Sequence, residues 1–464
     1  MTDRVPTGSA RLDEILNGGL LKNAINLVTG VPGSGKTILS QQVVFNNATK
    51  ERPALYLTTL SEPLDKVLRY GESLTFFNRD ALQDGRVIYQ DVGPQLSEEG
   101  LGALTATVDR ALKEIRPGLV VIDSVRSLHA IAPDGAGYRQ FLFDLVRRLT
   151  GAATTSIWNA PYSRAEVLNE PEAAIADSIV ALDVKQVGTR ETRVLQVLKL
   201  RGSGYRTGEH MYRVTSDGLQ AFPRLAEARA QAGYDLSPSH AGTGIGAVDE
   251  LLGAGGGYWA GACTLIAGPT GVGKTLMGLH FLYHGGEAGE PGILATFQEN
   301  ETQLARIVGS FGWSIDDPNV HVLSRGVVDM NIDEWVYELL ELAEKTSAKR
   351  IVIDSLLDVA KAAGDPIRFR EWMFSMTQRF TRSGVSLMLI VEVPDLFQLY
   401  RVSEDAISHL SDNVILLQYV QEDAKLSRAL TILKTRAMRH QPMVRRYEIT
   451  NDGFVLGDVI SLNR

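Results

Sequence analysis

Short runs of β-branched and aliphatic residues, INLVTG (25–30), ALYLTT (54–59), VVIDS (120–124) and SIVALDV (178–184), alternate with longer amphipathic stretches such as GLGALTATVDRALKEI (100–115). Near-continuous apolar runs suit strands buried on both faces, and the amphipathic stretches suit helices laid over them. The alternation predicts an α/β fold with a mostly parallel sheet flanked by helices.

The pattern then occurs a second time. TGSARLDEIL (7–16) is answered by TGIGAVDELL (243–252), GVPGSGKT (30–37) by GPTGVGKT (268–275), GLVVIDS (118–124) by KRIVIDS (349–355), and LQVLKLRG (195–202) by LTILKTRA (430–437). Lys36 and Lys274 lie 238 residues apart, Asp123 and Asp354 231, and Lys199 and Lys434 235. Four landmarks in the same order at nearly one offset predict a duplicated domain of about 230 residues. The expected division is 1–223 for the first domain, 243–464 for the second, and 224–242 for a polar, turn-rich linker whose first half suits a helix.

Composition narrows the class. With 464 residues, 44 % hydrophobic and 22 % charged, the chain has ample material for a core. Its net charge of −8 argues against a general nucleic-acid or membrane-surface binder. One cysteine, Cys263, excludes an internal disulfide framework and a cysteine-rich zinc site. The N-terminus has no apolar signal region and no apolar run reaches transmembrane length, so a cytoplasmic protein is expected.

Each G-x-x-x-x-G-K-T follows an apolar strand-like segment and precedes a helix-like one, the context in which backbone N–H groups and a helix N-terminus cradle phosphate. Gly33, Ser34, Gly35, Lys36 and Thr37, and Gly271, Val272, Gly273, Lys274 and Thr275, are therefore the expected nucleotide-binding residues. Lys36 and Lys274 should reach the β/γ-phosphates, and Thr37 and Thr275 should hold Mg²⁺. Asp123 and Asp354, each closing an apolar run, are the expected further metal ligands, with a helix N-cap as the alternative. Hydrolysis also needs a carboxylate to orient or deprotonate the attacking group. The candidates are Glu62 in LYLTTLSEP and Glu299, preceded by Gln298, in LATFQENET. A solvated residue opening the next helix is the competing reading of either.

These residues together, with ILLQYV (415–420) in the second copy, resemble the KaiC family of tandem RecA-like ATPases of bacterial and archaeal circadian clocks. The resemblance covers essentially the whole chain. It implies two RecA-like P-loop NTPase domains, a homohexameric double ring, and ATP with Mg²⁺ bound between neighbouring subunits. It further implies that Lys199 and Arg201, and Lys434 and Arg436, reach across the subunit interface to the neighbour's γ-phosphate, where the bland alternative is a charged strand face. The family phosphorylates an adjacent hydroxyl pair just before the ILLQYV strand. Here those positions are Ser408 and His409, so one hydroxyl is kept, and Ser411 lies nearby.

Three departures qualify the resemblance. The family's adjacent glutamate pair reads Gln298-Glu299 in the second domain, and glutamine has no useful basicity. In the first domain the pair falls on Leu60 and Ser61, with a carboxylate only at Glu62. Only 455–464 follow ITNDGF, without a counterpart of the longer regulatory tail, so KaiA-like control is not expected, while a KaiB-like partner on the first domain is. The expectation is a structural first ring and a chemically active second ring, which acts as an ATPase with Ser/Thr autokinase activity.

Two other functions compete. A RecA-type DNA-dependent motor would use a basic channel loop, for which TRAMRHQPMVRR (435–446) is the best segment, but the acidic chain disfavours nucleic acid. An ATP-bridged scaffold with negligible turnover fits the divergent first domain. His129, His280, His284 and His321 lack metal-ligand spacing and read as surface or satisfied core residues. Trp335, Trp372, Met373 and Met376 read as packing, and Asp365-Pro366 as a loop.

Overall fold

A computed structural model describes residues 3–460 apart from 61–63, 188–189, 226–238, 254, 327, 329, 394–410, 423–424, 437–439 and 452. Glu62, Ser408, His409 and most of the expected linker thus lie outside the described residues. Internal contacts divide the chain into two compact units, Met1–Arg224 and Leu225–Arg464.

The first unit is built on a nine-stranded sheet in the order Val87–Asp91, Ala54–Thr58, Leu119–Asp123, Thr155–Ala160, Ile25–Gly30, Ser178–Val187, Arg190–Leu200, His210–Thr215, Gly218–Phe222. The first six run parallel and the last three continue antiparallel. The strand entering the first cradle is central and wholly buried, because successive side chains serve opposite layers. Ile25 and Leu27 pack with Tyr138 and Trp158 on one face, and Val28 with Leu39 and Val43 of helix Lys36–Asn47 on the other.

The second unit repeats this order: Val320–Ser324, Gly292–Thr296, Arg350–Asp354, Ser386–Glu392, Cys263–Gly268, Asn413–Glu422, Lys425–Lys434, Arg445–Thr450, Gly453–Val459. Two mostly parallel sheets flanked by helices are the tandem RecA-like architecture that the sequence pattern implies. Short two-stranded pairs open each unit, Arg4–Val5 with Leu20–Leu21 and His240–Ala241 with Tyr258–Trp259. The repeated aspartate of the LDE and VDE segments has a structural job. Asp13 accepts from the Thr7 amide at 2.8 Å and Asp249 from the Thr243 amide at 2.8 Å, pinning the chain before each short opening helix. Among the described residues, no helix is long and apolar enough to cross a membrane.

Two expectations need adjustment. The loop at Asp365-Pro366 is confined to Gly364 and Asp365: Asp365 caps helix Pro366–Arg382, its carboxylate accepting from the Arg368 amide at 2.8 Å, and Pro366 already occupies the first turn, where no amide donor is needed. His280 is not a satisfied core residue, since its buried Nε2 has no hydrogen-bond partner. The matching residue of the first unit, Gln42, instead accepts from the Leu219 amide at 2.7 Å. The tryptophans do pack: Trp335 and Trp372 are buried with ring centroids 5.8 Å apart, and Met373 and Met376 are buried beside them. His129 stacks on Tyr138 at 4.6 Å.

His280 should make the second unit acid-sensitive. Burial pushes its ring down to about 4 from the ordinary 6.5. The unfolded chain therefore binds a proton between these values that the folded chain refuses, so this contribution to stability is complete above about 6.5 and is lost as pH falls toward 4. Trp313 and Phe454 face the ring edge to face, and His284 and Glu287 line the same surface depression of about 340 Å³. In His280→Gln, thermal unfolding should lose part of its decline between pH 6.5 and 4.5; identical pH profiles would refute the assignment.

Candidate nucleotide sites

Each cradle opens where a buried central strand ends and a helix begins. Gly35 and Gly273 cap their helices, both at φ +97°, in the left-handed region that favours glycine. Ser34 and Val272 turn their side chains inward and are fully buried, so they offer a ligand only backbone. A tyrosine from a distant strand braces each loop: Tyr212 donates to the Ser34 carbonyl at 2.6 Å and Tyr447 to the Val272 carbonyl at 2.5 Å. Sequence reading missed this pair, although the two tyrosines are 235 residues apart, the offset of Lys199 and Lys434.

The lysines fold back over their own loops. Lys36 donates to the Gly30 and Val31 carbonyls at 2.8 and 3.0 Å, and Lys274 to the Pro269 carbonyl at 2.8 Å. Carbonyl contacts are weak substitutes for phosphate oxygens, so both ammonium groups are poised for an anion. Burial lowers the Lys274 pKa, against the opposing charges of Glu392 and Asp354.

Beneath each cradle the expected metal-binding pair comes together. Thr37 donates to Asp123 at 2.8 Å and Thr275 to Asp354 at 2.6 Å, joining residues 86 and 79 apart in sequence. In the first unit the Tyr56 hydroxyl also donates to Asp123, at 2.7 Å. Sequence reading had no signal for Tyr56, because the second copy carries Leu294 in its place. In the second unit, burial above all pushes the Asp354 carboxyl up to about 6, with Glu299 and Asp358 adding like charge against the Thr275 hydrogen bond. A hydroxyl and a carboxylate form an all-oxygen donor set, and a buried carboxylate among other acids favours a cation, so the residues fit Mg²⁺.

Beyond these pairs the two sites differ. Sheet register aligns Thr58 beside Asp123 with Thr296 beside Asp354. Two residues on, the first unit has exposed Leu60 where the second has Gln298. Gln298 donates to Asp358 at 3.0 Å, and Glu299 accepts from Thr296 at 2.8 Å. By the same count Ser61 stands in the place of Glu299.

Lys199, Arg201, Lys434 and Arg436 are not brought to the cradles of their own chain. Leu200 pairs with Ser178, which neighbours Asn26 at the start of the cradle strand; Lys434 pairs with Val414 in the same setting. A six-residue strand rises about 3.3 Å per residue, so about 17 Å separates this end of the strands from the phosphate loop. That exceeds the reach of either side chain, so neither pair touches the cradle of its own unit. Meanwhile Lys199 donates to the Ala173 carbonyl at 3.0 Å and Lys434 to that of Ser411 at 2.6 Å. Arg201 pairs with Asp177 at 3.2 Å and Arg436 with Asp412 at 3.4 Å.

Comparison with known proteins agrees with this duplicated geometry. The family model for the KaiC ATPase matches residues 5–226 and again 241–459. The chain is 27 % identical to the circadian clock oscillator protein KaiC of Picosynechococcus sp., covering 96 % of this chain and 88 % of that protein. It is 27 % identical to KaiC of Rippkaea orientalis, covering 96 % and 87 %, and 28 % identical to KaiC 1 of Synechocystis sp., covering 95 % and 86 %. With the family model matching both halves, each of which holds one cradle and its Thr–Asp pair, the chain belongs to the KaiC ATPase family.

Proposed function

We propose that this chain is a Mg²⁺-dependent ATPase that works as a homohexameric double-ring switch, with residues 1–223 and 243–464 as its ATP-binding domains and 224–242 as the linker. The observation that carries the reading is the Thr–Asp hydrogen bond beneath each lysine, at 2.8 Å in the first unit and 2.6 Å in the second. Bound magnesium would supply charge neutralisation for the triphosphate. Thr37 with Asp123, and Thr275 with Asp354, would hold it, while Lys36 and Lys274 take the β/γ-phosphate oxygens.

The two sites divide the work. Glu299, hydrogen-bonded to Thr296, orients the attacking water or hydroxyl in the second domain and takes its proton. Leu60 and Ser61 offer no base in the corresponding places, so the first domain binds ATP chiefly to hold the ring together. Lys199 with Arg201, and Lys434 with Arg436, clamp the γ-phosphate of the adjacent subunit once their own-chain contacts are exchanged for it. Ser408 is the phosphoryl acceptor for an autokinase branch of the same chemistry. A KaiB-like protein is the partner proposed for the first domain.

The test is incubation with γ-labelled ATP and Mg²⁺, following released phosphate and protein-bound label in the parent, Lys36→Ala, Lys274→Ala and Ser408→Ala proteins. Phosphate release should disappear in Lys274→Ala even where sedimentation shows assembled rings, in Lys36→Ala it should fall only in proportion to the rings lost, and label should vanish in Ser408→Ala. Release that depends on Lys36 alone would reverse the assignment. Sedimentation with and without ATP should show a six-chain particle only with nucleotide.

A further inference from the structure

Glu392 ends strand Ser386–Glu392, in register beside Gly268, the first residue of the second cradle, whose carbonyl accepts from the next amide, that of Val393, at 3.1 Å. Its side-chain direction follows from the strand. Ile390, two residues earlier and so on the same face, lies where a Cβ on Gly278 of helix Lys274–Glu287 would meet it at 3.5 Å. Glu392 therefore projects over the N-terminus of that helix, on the rim of the cradle. There it accepts a hydrogen bond from Thr270 within the phosphate loop at 2.5 Å, and its charge favours the Lys274 ammonium.

The first unit lacks both members of this pair. Thr29 pairs with Ala160 as Ala267 does with Val391, so Pro161 stands in the place of Glu392. Loop alignment puts Pro32 in the place of Thr270. A hydroxyl and a carboxylate that bond across the rim of one cradle are thus replaced together by two prolines at the other, which can neither donate there nor carry charge.

We propose that Glu392 and Thr270 form a γ-phosphate-sensing latch that only the second cradle possesses. This rests on the reading of that cradle as an ATP site. With ADP, or before nucleotide binds, the hydrogen bond holds and Glu392 stays on the rim. A γ-phosphate brings negative charge up to the same rim, where a carboxylate repels it, so ATP enters only as the Thr270 bond breaks and Glu392 withdraws. The cost falls on ATP and not on ADP, which lets the second site distinguish the two nucleotides by more than the contacts of its lysine.

The test measures binding of a non-hydrolysable ATP analogue, AMPPNP, and of ADP to the full chain, with the second site identified by its loss in Lys274→Ala. Glutamine keeps the acceptor for Thr270 but removes the charge. In Glu392→Gln, AMPPNP affinity at the second site should rise about tenfold, equivalent to about 1.4 kcal/mol, with ADP affinity unchanged. Thr270→Val, which removes the bond that must be broken, should shift the ratio the same way by a few-fold, and first-site affinities should not move. An unchanged or reduced preference for AMPPNP in Glu392→Gln would overturn the latch. If the unsubstituted second cradle binds neither nucleotide, the ATP-site reading itself fails.

Discussion

Replacing Glu299 with glutamine should slow phosphate release by about 10²- to 10⁴-fold while nucleotide binding survives, the range over which a positioned base accelerates such a reaction. Glutamine fills the same space and still accepts from Thr296, so the substitution isolates proton affinity from packing. Binding should persist because Lys274, Thr275 and Asp354 are untouched. The same change at Glu62 should leave the rate within about twofold, since the positions matching Gln298 and Glu299 there are Leu60 and Ser61. Steady-state phosphate release and fluorescent-nucleotide binding on both variants check this together. A Glu299→Gln protein with undiminished turnover would leave the second domain without its proposed base.

The largest stability effect is expected at Arg350, where Arg350→Ala should cost about 3–5 kcal/mol, as removing one partner of a buried, hydrogen-bonded ion pair does. Its side chain is 2 % exposed, pairs with Glu290 at 2.6 Å, and donates to the carbonyls of Gly242 and Phe281 at 2.8 and 2.7 Å. The guanidinium also lies over the Phe281 ring, 4.6 Å from its centroid. Truncation would strand two carbonyls and open a cavity at once. Glu290 is 37 % exposed and regains water, which holds the cost toward the lower end. The first unit solves the same position with buried Leu119, so Arg350→Leu should cost less than alanine. Urea denaturation gives the magnitude, and hydrogen exchange should show lost protection over 274–287 but not over 36–47. A cost below about 1 kcal/mol for Arg350→Ala would mean that the buried network contributes little.

Sequence alone determined the duplication, the α/β class and both phosphate loops. These are encoded by contiguous residues: the alternation of apolar runs and amphipathic stretches reflects burial on two faces, and a G-x-x-x-x-G-K-T loop binds through successive backbone amides. The motif glycines and lysine need no distant partner to declare themselves. The KaiC family was legible as a resemblance, carried by the TG…LDE…GKT, VIDS and LKLRG segments together with ILLQYV, while the offsets between 231 and 238 spoke only for the duplication.

Tertiary structure decided what depends on residues far apart in the chain. Parallel strand pairing brought Thr37 to Asp123 and Thr275 to Asp354, and antiparallel pairing carried Lys199 and Lys434 to the strand ends opposite their own cradles. Tyr212, Tyr447 and Glu392 became part of the sites only once their strands were placed beside the loops. An acid at the end of an apolar run, such as Glu392 in LIVEVP, reads in sequence like any strand terminus. Register and face, set by which strands neighbour one another and by the two-residue alternation of side chains, turn it toward the phosphate rim instead of solvent.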